Sequence, residues 1–270
     1  MITYGDRHDR HLQRVNEAFQ FEDKMRDQSR FEVPDVPVLT LIGDVHGKIS
    51  EYNQLIKDNE CTESIQLGDM GFNQHYTQID VDGLHHKILA GNHDDYAVHK
   101  NGEFIHMNKP RWLGDYGVHK SCVGELFFVR GGRSIDWSQR TPGLDWFDRE
   151  QLSLTELNSC EQSYEFAKPE IVLTHECPQS MIIPFFGVKE WDGKQIQPSR
   201  TANFLQALLE IHRPKLWVFG HFHEHINQTI DGTTFICLEE LQHMEVLRDC
   251  IGDLKWIIHK KSLLVPVPYW

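Results

Sequence analysis

A chain of 270 residues with 40% hydrophobic and 25% charged residues has the make-up of one large globular domain or two small ones. Its formal net charge of -13 repels polyanions, so long nucleic acid and an anionic membrane are not expected partners, and a phosphate-bearing substrate needs a local positive centre. No apolar run is long enough for a secretory core or a membrane span, and the six scattered cysteines form no Cys-x-x-Cys pair, which speaks against a disulfide scaffold or zinc knuckle and predicts a reduced, cytoplasmic protein.

Residues 1–37 are rich in charge, with Leu12, Val15, Phe19 and Met25 as a thin apolar stripe, and they predict a helical N-terminal extension. Pro34 and Pro37 punctuate the chain before the strand-like run Val38 to Ile42, and the main domain is placed over residues 38–270. Ile49, Tyr52, Leu55 and Ile56 recur at helix spacing, and Ile65 to Leu67 again reads as a strand. Strand and helix patterns that alternate in this way predict an α/β fold. Asp95 to His99 suggests a further short helix. Leu126 to Val129 predicts a strand, and Asp148 with Gln151 reads as an N-cap and its capping-box partner opening Leu152 to Leu157. Ala202, Leu205, Leu208 and Leu209 predict an amphipathic helix after Ser199, between strands Ile171 to Leu173 and Leu216 to Phe219. Asp231-Gly232, flanked by Gln228 to Ile230 and Thr233 to Cys237, predicts a hairpin and an antiparallel finish to the sheet. No repeat or flexible linker divides the chain.

Polar residues fall where the apolar runs stop. Val38 to Ile42 runs into Gly43-Asp44-Val45-His46-Gly47, Ile65 to Leu67 into Gly68-Asp69, and Lys87 to Ala90 into Gly91-Asn92-His93-Asp94. Likewise Ile171 to Leu173 runs into Thr174-His175, and Trp217 to Phe219 into Gly220-His221-Phe222-His223. In open α/β sheets, sites form beyond the carboxyl ends of strands, so these turns are expected to converge. Carboxylate, amide and imidazole donors suit manganese, iron or zinc better than calcium, and no cysteine is placed to join them. Residues two apart, as in Asp44-x-His46 and His221-x-His223, project to one side of extended chain. Glycine before Asp44, Asp69, Asn92 and His221 allows a sharp turn.

This ordered set, spanning Gly43 to His223, resembles the signature of the calcineurin-like metallophosphoesterase superfamily. The resemblance implies a βαβαβ two-sheet sandwich of mixed parallel and antiparallel strands, flanked by helices, with two divalent metal ions at the strand ends. By that resemblance Asp44, His46 and His223 hold one metal, Asn92, His175 and His221 the other, and Asp69 bridges them. His93 is then the acid beside the leaving group, and Asp94 either orients His93 or caps the helix after it. Two divalent cations exceed the two carboxylates and a bridging hydroxide by about one positive charge, enough to attract phosphate locally. Water shared by two metals is acidified, so in-line attack of a bridging hydroxide on phosphorus is the expected reaction, with Mn²⁺ the first choice of metal and iron or Zn²⁺ the alternatives.

Gly131-Gly132-Arg133-Ser134 follows the strand Leu126 to Val129, which brings Arg133 forward as a candidate phosphate ligand, with a surface salt bridge the plainer alternative. His75, His85, His86, His99, His106, His119 and His225 match no motif and read as solvated or packed imidazoles; Trp137, Trp146 and Trp191 read as core. Protein Ser/Thr phosphatases of the superfamily carry Gly-Asp-x-Val-Asp-Arg-Gly where this chain has Gly68-Asp69-Met70-Gly71-Phe72-Asn73, so an arginine that grips phosphate there is missing. The expected activity is hydrolysis of a phosphomonoester of a small molecule, nucleotide or phosphoprotein. The alternatives are a phosphodiesterase or nuclease with the same centre, or a catalytically silent binding module.

Overall fold

The chain separates into two units, Met1–Val36 and Pro37–Trp270. The computed structural model describes residues 36–96, 111–187, 190–191, 194–195 and 197–259. The expected N-terminal helix, the Asp95 to His99 helix beyond Tyr96, and His99 and His106 lie outside the described residues, as does the Trp191 side chain.

In chain order the strands are β1 Val38–Ile42, β2 Glu63–Gln66, β3 His86–Ile88, β4 Arg111–Trp112, β5 Tyr116–Ser121, β6 Gly124–Val129 and β7 Ile171–Thr174. They continue with β8 Glu190–Trp191, β9 Lys194–Gln195, β10 Leu216–Phe219, β11 Ile226–Ile230, β12 Thr233–Cys237, β13 His243–Arg248 and β14 Leu254–His259. Two six-stranded sheets result, ordered β14-β13-β1-β2-β3-β4 and β11-β12-β10-β7-β6-β5. Within the first, β1, β2 and β3 run parallel and β13 returns antiparallel, with Leu39 opposite both Glu63 and Val246. Within the second, β6, β7, β10 and β12 run parallel between antiparallel edges. Asp231 and Gly232 take φ of 49° and 85°, the paired left-handed turn that a two-residue hairpin needs.

Alternation along the strands divides their side chains between layers. Leu39, Leu41 and Ile65 pack with Phe128, Leu173, Val218 and Ile236 in one buried cluster joining residues of the two sheets. Ile42 and Ile88 pack instead with Ile49, Tyr52 and Ile56 of the helix Ile49–Asp58. On the second sheet Phe127, Val172, Trp217 and Phe235 pack against the helices Leu154–Ala167, Gln179–Phe186 and Arg200–Ile211. Cover on both faces explains why the inner strands β1, β7 and β10 are largely apolar and buried along almost their whole length.

The capping box is not at Asp148. Ser153 caps the helix, its Oγ accepting from the Glu156 N–H at 3.3 Å while Glu156 Oε2 accepts from the Ser153 N–H at 2.7 Å. Asp148–Glu150 forms a single 3-10 turn, and Gln151 is extended. Both pairs fit the same spacing, but Leu152 and Leu157 are buried in one cluster, the apolar staple across a helix start that selects Ser153. Trp137 also departs from expectation: it is 46% exposed, its ring 5.7 Å from that of Trp146.

Glu170, just before β7, pairs with Lys215 at 2.7 Å and with Arg248 at 2.6 Å, linking the ends of both sheets. The Lys215 hydrogen bond, opposed by burial and assisted by Arg248, holds its carboxyl below the usual glutamate range. The unfolded chain therefore binds the proton more readily, so this contribution is present at neutral pH and is lost as pH falls through the depressed value. Glu170→Gln is expected to lower the urea midpoint at about pH 7, with the difference closing by about pH 3. A pH-independent difference would show that the ion pairs contribute nothing.

Candidate metal centre

The turns at the ends of β1, β2, β3, β7 and β10 meet in one cleft. Asp44, Asp69, Asn92 and His175 are all buried there, while the His46 side chain is 19% and the His223 side chain 49% exposed, so the cleft opens on the side of those two imidazoles. His46, Asp69, His221 and His223 have φ of 48°, 57°, 69° and 54°. For residues with a Cβ this left-handed backbone costs about 1–2 kcal/mol each, and its clustering at one cleft is the mark of a functional turn. Gly91 and Gly220 are required for a different reason. A Cβ at Gly91 would overlap the Asp69 carboxylate and one at Gly220 the Asp44 carboxylate, so the strand ends come as close to the acids as backbone allows.

Three groups of donors have mutually close ligand atoms: Asp44, His46 and His223; His46, Asp69 and His93; and Asp69, His175 and His221. His223 Nε2 lies 3.1 Å from Asp44 Oδ2, and His46 Nε2 lies 2.9 Å from His223 Nε2. On the other side, His175 Nε2 is 3.2 Å from Asp69 Oδ1 and 3.1 Å from Asn92 Oδ1. Its Nδ1 donates to the Leu67 carbonyl at 2.8 Å, which leaves Nε2 as the ligand end of the ring. Lone-pair donors thus converge from opposite sides with Asp69 between them.

The electrostatics call for cations. Burial works against the charge of Asp44, but hydrogen bonds from His223 and His46 outweigh it and hold the carboxyl at about 2. Burial likewise opposes Asp69, whose carboxyl the charge of His175 nevertheless holds well below the usual range. His175 is pushed up to about 10, the charges of Asp69 and Asp44 overcoming its burial, whereas burial beside His175 pushes His221 down to about 3. The two carboxylates of the site thus favour a protonated His175, His46 and His223, while His221 and His93 are held neutral. Divalent ions fit this donor set, because they supply that positive charge through mixed oxygen and nitrogen ligands.

Other candidates are placed differently. The His93 N–H donates to Asp69 Oδ1 at 2.7 Å, and its ring centroid is 5.1 Å from that of His46. Asp94 does not touch the His93 ring. It accepts from the N–H groups of Gly91 at 2.7 Å, Asp69 at 2.9 Å and Gly71 at 3.3 Å, and from the Tyr76 hydroxyl at 3.2 Å. Arg133 makes no hydrogen bond or ion pair among the described residues, though its charge acts on the buried Glu176. The arginine at the site is Arg140, whose Nη2 lies 2.7 Å from His93 Nε2, held by Asp136 at 2.8 Å and by the Asp145 carbonyl at 3.2 Å. Nothing local in the sequence marks Arg140. It follows the single turn Trp137–Gln139, and Asp136 and the Asp145 carbonyl hold it against the site.

No helix among the described residues is long and apolar enough to cross a membrane. A comparison with curated proteins finds no match. Similar solved structures include GAP50 of Plasmodium, 12% identical over 84% of this chain and 86% of that one with a TM-score of 0.47. A putative 5'-nucleotidase from Staphylococcus aureus is 11% identical, covering 82% of this chain and 52% of its own, at 0.44. An archaeal phosphodiesterase is 10% identical, covering 82% and 99%, at 0.37. The family model of calcineurin-like phosphoesterases matches residues 37–225, a span that contains every one of the converging turns. On that match the chain belongs to the calcineurin-like phosphoesterase family and is a metal-dependent hydrolase of phosphate esters.

Proposed function

We propose that the protein is a phosphomonoesterase working with two divalent ions, Mn²⁺ before iron or Zn²⁺, in a reducing compartment such as the cytoplasm. The observation that carries the two-ion reading is the position of Asp69, which belongs both to the group with His46 and His93 and to the group with His175 and His221. Asp44, His46 and His223 would hold one ion, Asn92, His175 and His221 the other, and Asp69 both. Bound there, the ions supply Lewis acidity toward phosphoryl oxygens and water acidified toward neutrality.

The remaining steps belong to the chain. Arg140 is a fixed cation beside His93, and a planar guanidinium suits the terminal oxygens of a monoester dianion better than the single charge of a diester. His93, on the open side near His46, is held neutral by burial and the Arg140 charge, and is placed to stabilise the departing oxygen or to protonate it once a substrate phosphate has drawn Arg140 away. Asp94 keeps the turns of β2 and β3 together through their backbone N–H groups, a scaffold role beside the reacting groups. Six unpaired thiols accord with the reducing compartment.

The test is hydrolysis of p-nitrophenyl phosphate and bis-p-nitrophenyl phosphate by metal-stripped protein titrated with Mn²⁺. Expected are metal-dependent turnover with the monoester faster, and a loss of about 10²–10⁴ in kcat for His93→Ala. Arg140→Ala is expected to penalise the monoester more than the diester. A faster diester, with Arg140→Ala equal on both, would make the protein a phosphodiesterase instead.

A further inference from the structure

The oxygen and nitrogen ends of a carboxamide have nearly the same shape, yet only the oxygen can hold a cation, so something must decide which end of Asn92 faces His175. Asn92 Nδ2 lies 3.2 Å from Ser134 Oγ. Ser134 Oγ in turn donates to Glu150 Oε2 at 2.7 Å, and the Ser134 N–H donates to Glu150 Oε1 at 2.9 Å. All three residues are buried, and neither Ser134 nor Glu150 belongs to the ligand set.

The direction of this chain follows from its last member. A carboxylate only accepts, so the Ser134 hydroxyl points its hydrogen at Glu150 and leaves Oγ with lone pairs toward Asn92. Asn92 must then present its N–H group to Ser134, which turns Oδ1 to its place 3.1 Å from His175 Nε2. The backbone holds the same segment against the site. The Gly131 N–H donates to the Ala90 carbonyl at 2.8 Å, and the position of a Cβ on Gly132 lies 3.5 Å from Asn92 Oδ1 and 3.5 Å from His221 Cε1. Arg130 Nη1 donates to the Arg149 carbonyl at 2.6 Å, so the strand end that leads into Ser134 is tied to the turn that carries Glu150.

We propose that Glu150 and Ser134 are positioning residues that set the polarity of the Asn92 carboxamide and so make it a metal ligand. This rests on Asn92 being a ligand, as assigned under the proposed function. Glu150→Gln is the sharpest probe, because an amide of the same shape donates to Ser134 Oγ and frees the hydroxyl proton to face Asn92 Oδ1, reversing the chain. Ser134→Ala removes the acceptor, and Ser134→Thr keeps it.

The experiment is calorimetric titration of the full metal-free chain with Mn²⁺, with thermal melts of each metal-free variant alongside. Expected is a loss of about 10–100-fold in affinity for one of two Mn²⁺ equivalents in Glu150→Gln and Ser134→Ala, with Ser134→Thr restored to near the parent value. A general loss of structure would weaken both equivalents and lower the melting temperature of Glu150→Gln, and that result would overturn the assignment. Asn92→Ala separates the remaining outcomes. If it weakens one equivalent while Glu150→Gln and Ser134→Ala bind both like the parent, the positioning role is wrong and the ligand reading stands. If Asn92→Ala itself binds both like the parent, the ligand reading fails and the positioning role fails with it.

Discussion

Asp69→Asn is expected to reduce turnover by about a thousand-fold or more and, on the proposed two-ion reading, to lower bound metal to one equivalent or none. The substitution keeps the shape and an oxygen that can still accept from the His93 N–H, now made at 2.7 Å. It removes one of the two carboxylates that face the cleft and turns an amide N–H₂ toward an imidazole or an ion. Asp69 lies 3.2 Å from His175 Nε2 and 3.8 Å from His46 Nε2, so its loss is felt on both sides of the site. A loss of about 4 kcal/mol of transition-state stabilisation corresponds to about three orders of magnitude in rate. Elemental analysis of dialysed protein together with single-turnover rates at saturating Mn²⁺ measures both effects. A variant holding two equivalents and turning over at the parent rate would remove Asp69 from the centre.

Asp94→Ala is expected to act through stability, by about 3–5 kcal/mol, rather than through the chemistry directly. Its carboxylate gathers N–H groups from the turns after β2 and β3 and the hydroxyl of buried Tyr76. Burial, with the Asp69 charge next to it, pushes this carboxyl up, and the N–H of Gly91 and of Asp69 pull it back. Removing it strands those donors out of reach of water, and each stranded donor costs about 1–3 kcal/mol. Asp94→Asn, which keeps one acceptor oxygen, is expected to lose less. Denaturant unfolding of the metal-free proteins ranks the three. If Asp94→Ala unfolds at the parent midpoint yet has lost turnover, the residue acts on the reaction and not on the scaffold.

The two effects differ because adjacent motifs hold residues of different kinds. Asp69 points into the cleft from a left-handed turn, whereas Asp94 points back under the turns and is inaccessible. Gly-Asn-His-Asp in the sequence carries no sign of that division. Asn92 and His93 face the cleft, and the next residue holds the backbone that presents them.

What the sequence determined by itself was local and periodic. Largely apolar runs marked β1, β7 and β10, because strands covered on both faces bury nearly every side chain. Glycine followed by Asp, Asn or His marked the turns after β1, β2, β3 and β10, because the space of the missing Cβ is taken by the Glu239 carbonyl at Gly43, the His175 ring at Gly68, and the Asp69 and Asp44 carboxylates at Gly91 and Gly220. The sequence also marked the Asp231-Gly232 hairpin, where two positive φ values are needed in succession. Only the tertiary structure decided between Ser153 and Asp148 as the helix cap, since two pairs had the same spacing and the burial of Leu152 against Leu157 chose one. It alone brought Arg140, Ser134 and Glu150 to the site, and it left Arg133 off His93. Arg140 and Glu150 follow no strand end, and the contacts cross 42 residues from Asn92 to Ser134 and 47 from His93 to Arg140. Separations of that kind are set by how two sheets pack, which no local sequence period encodes.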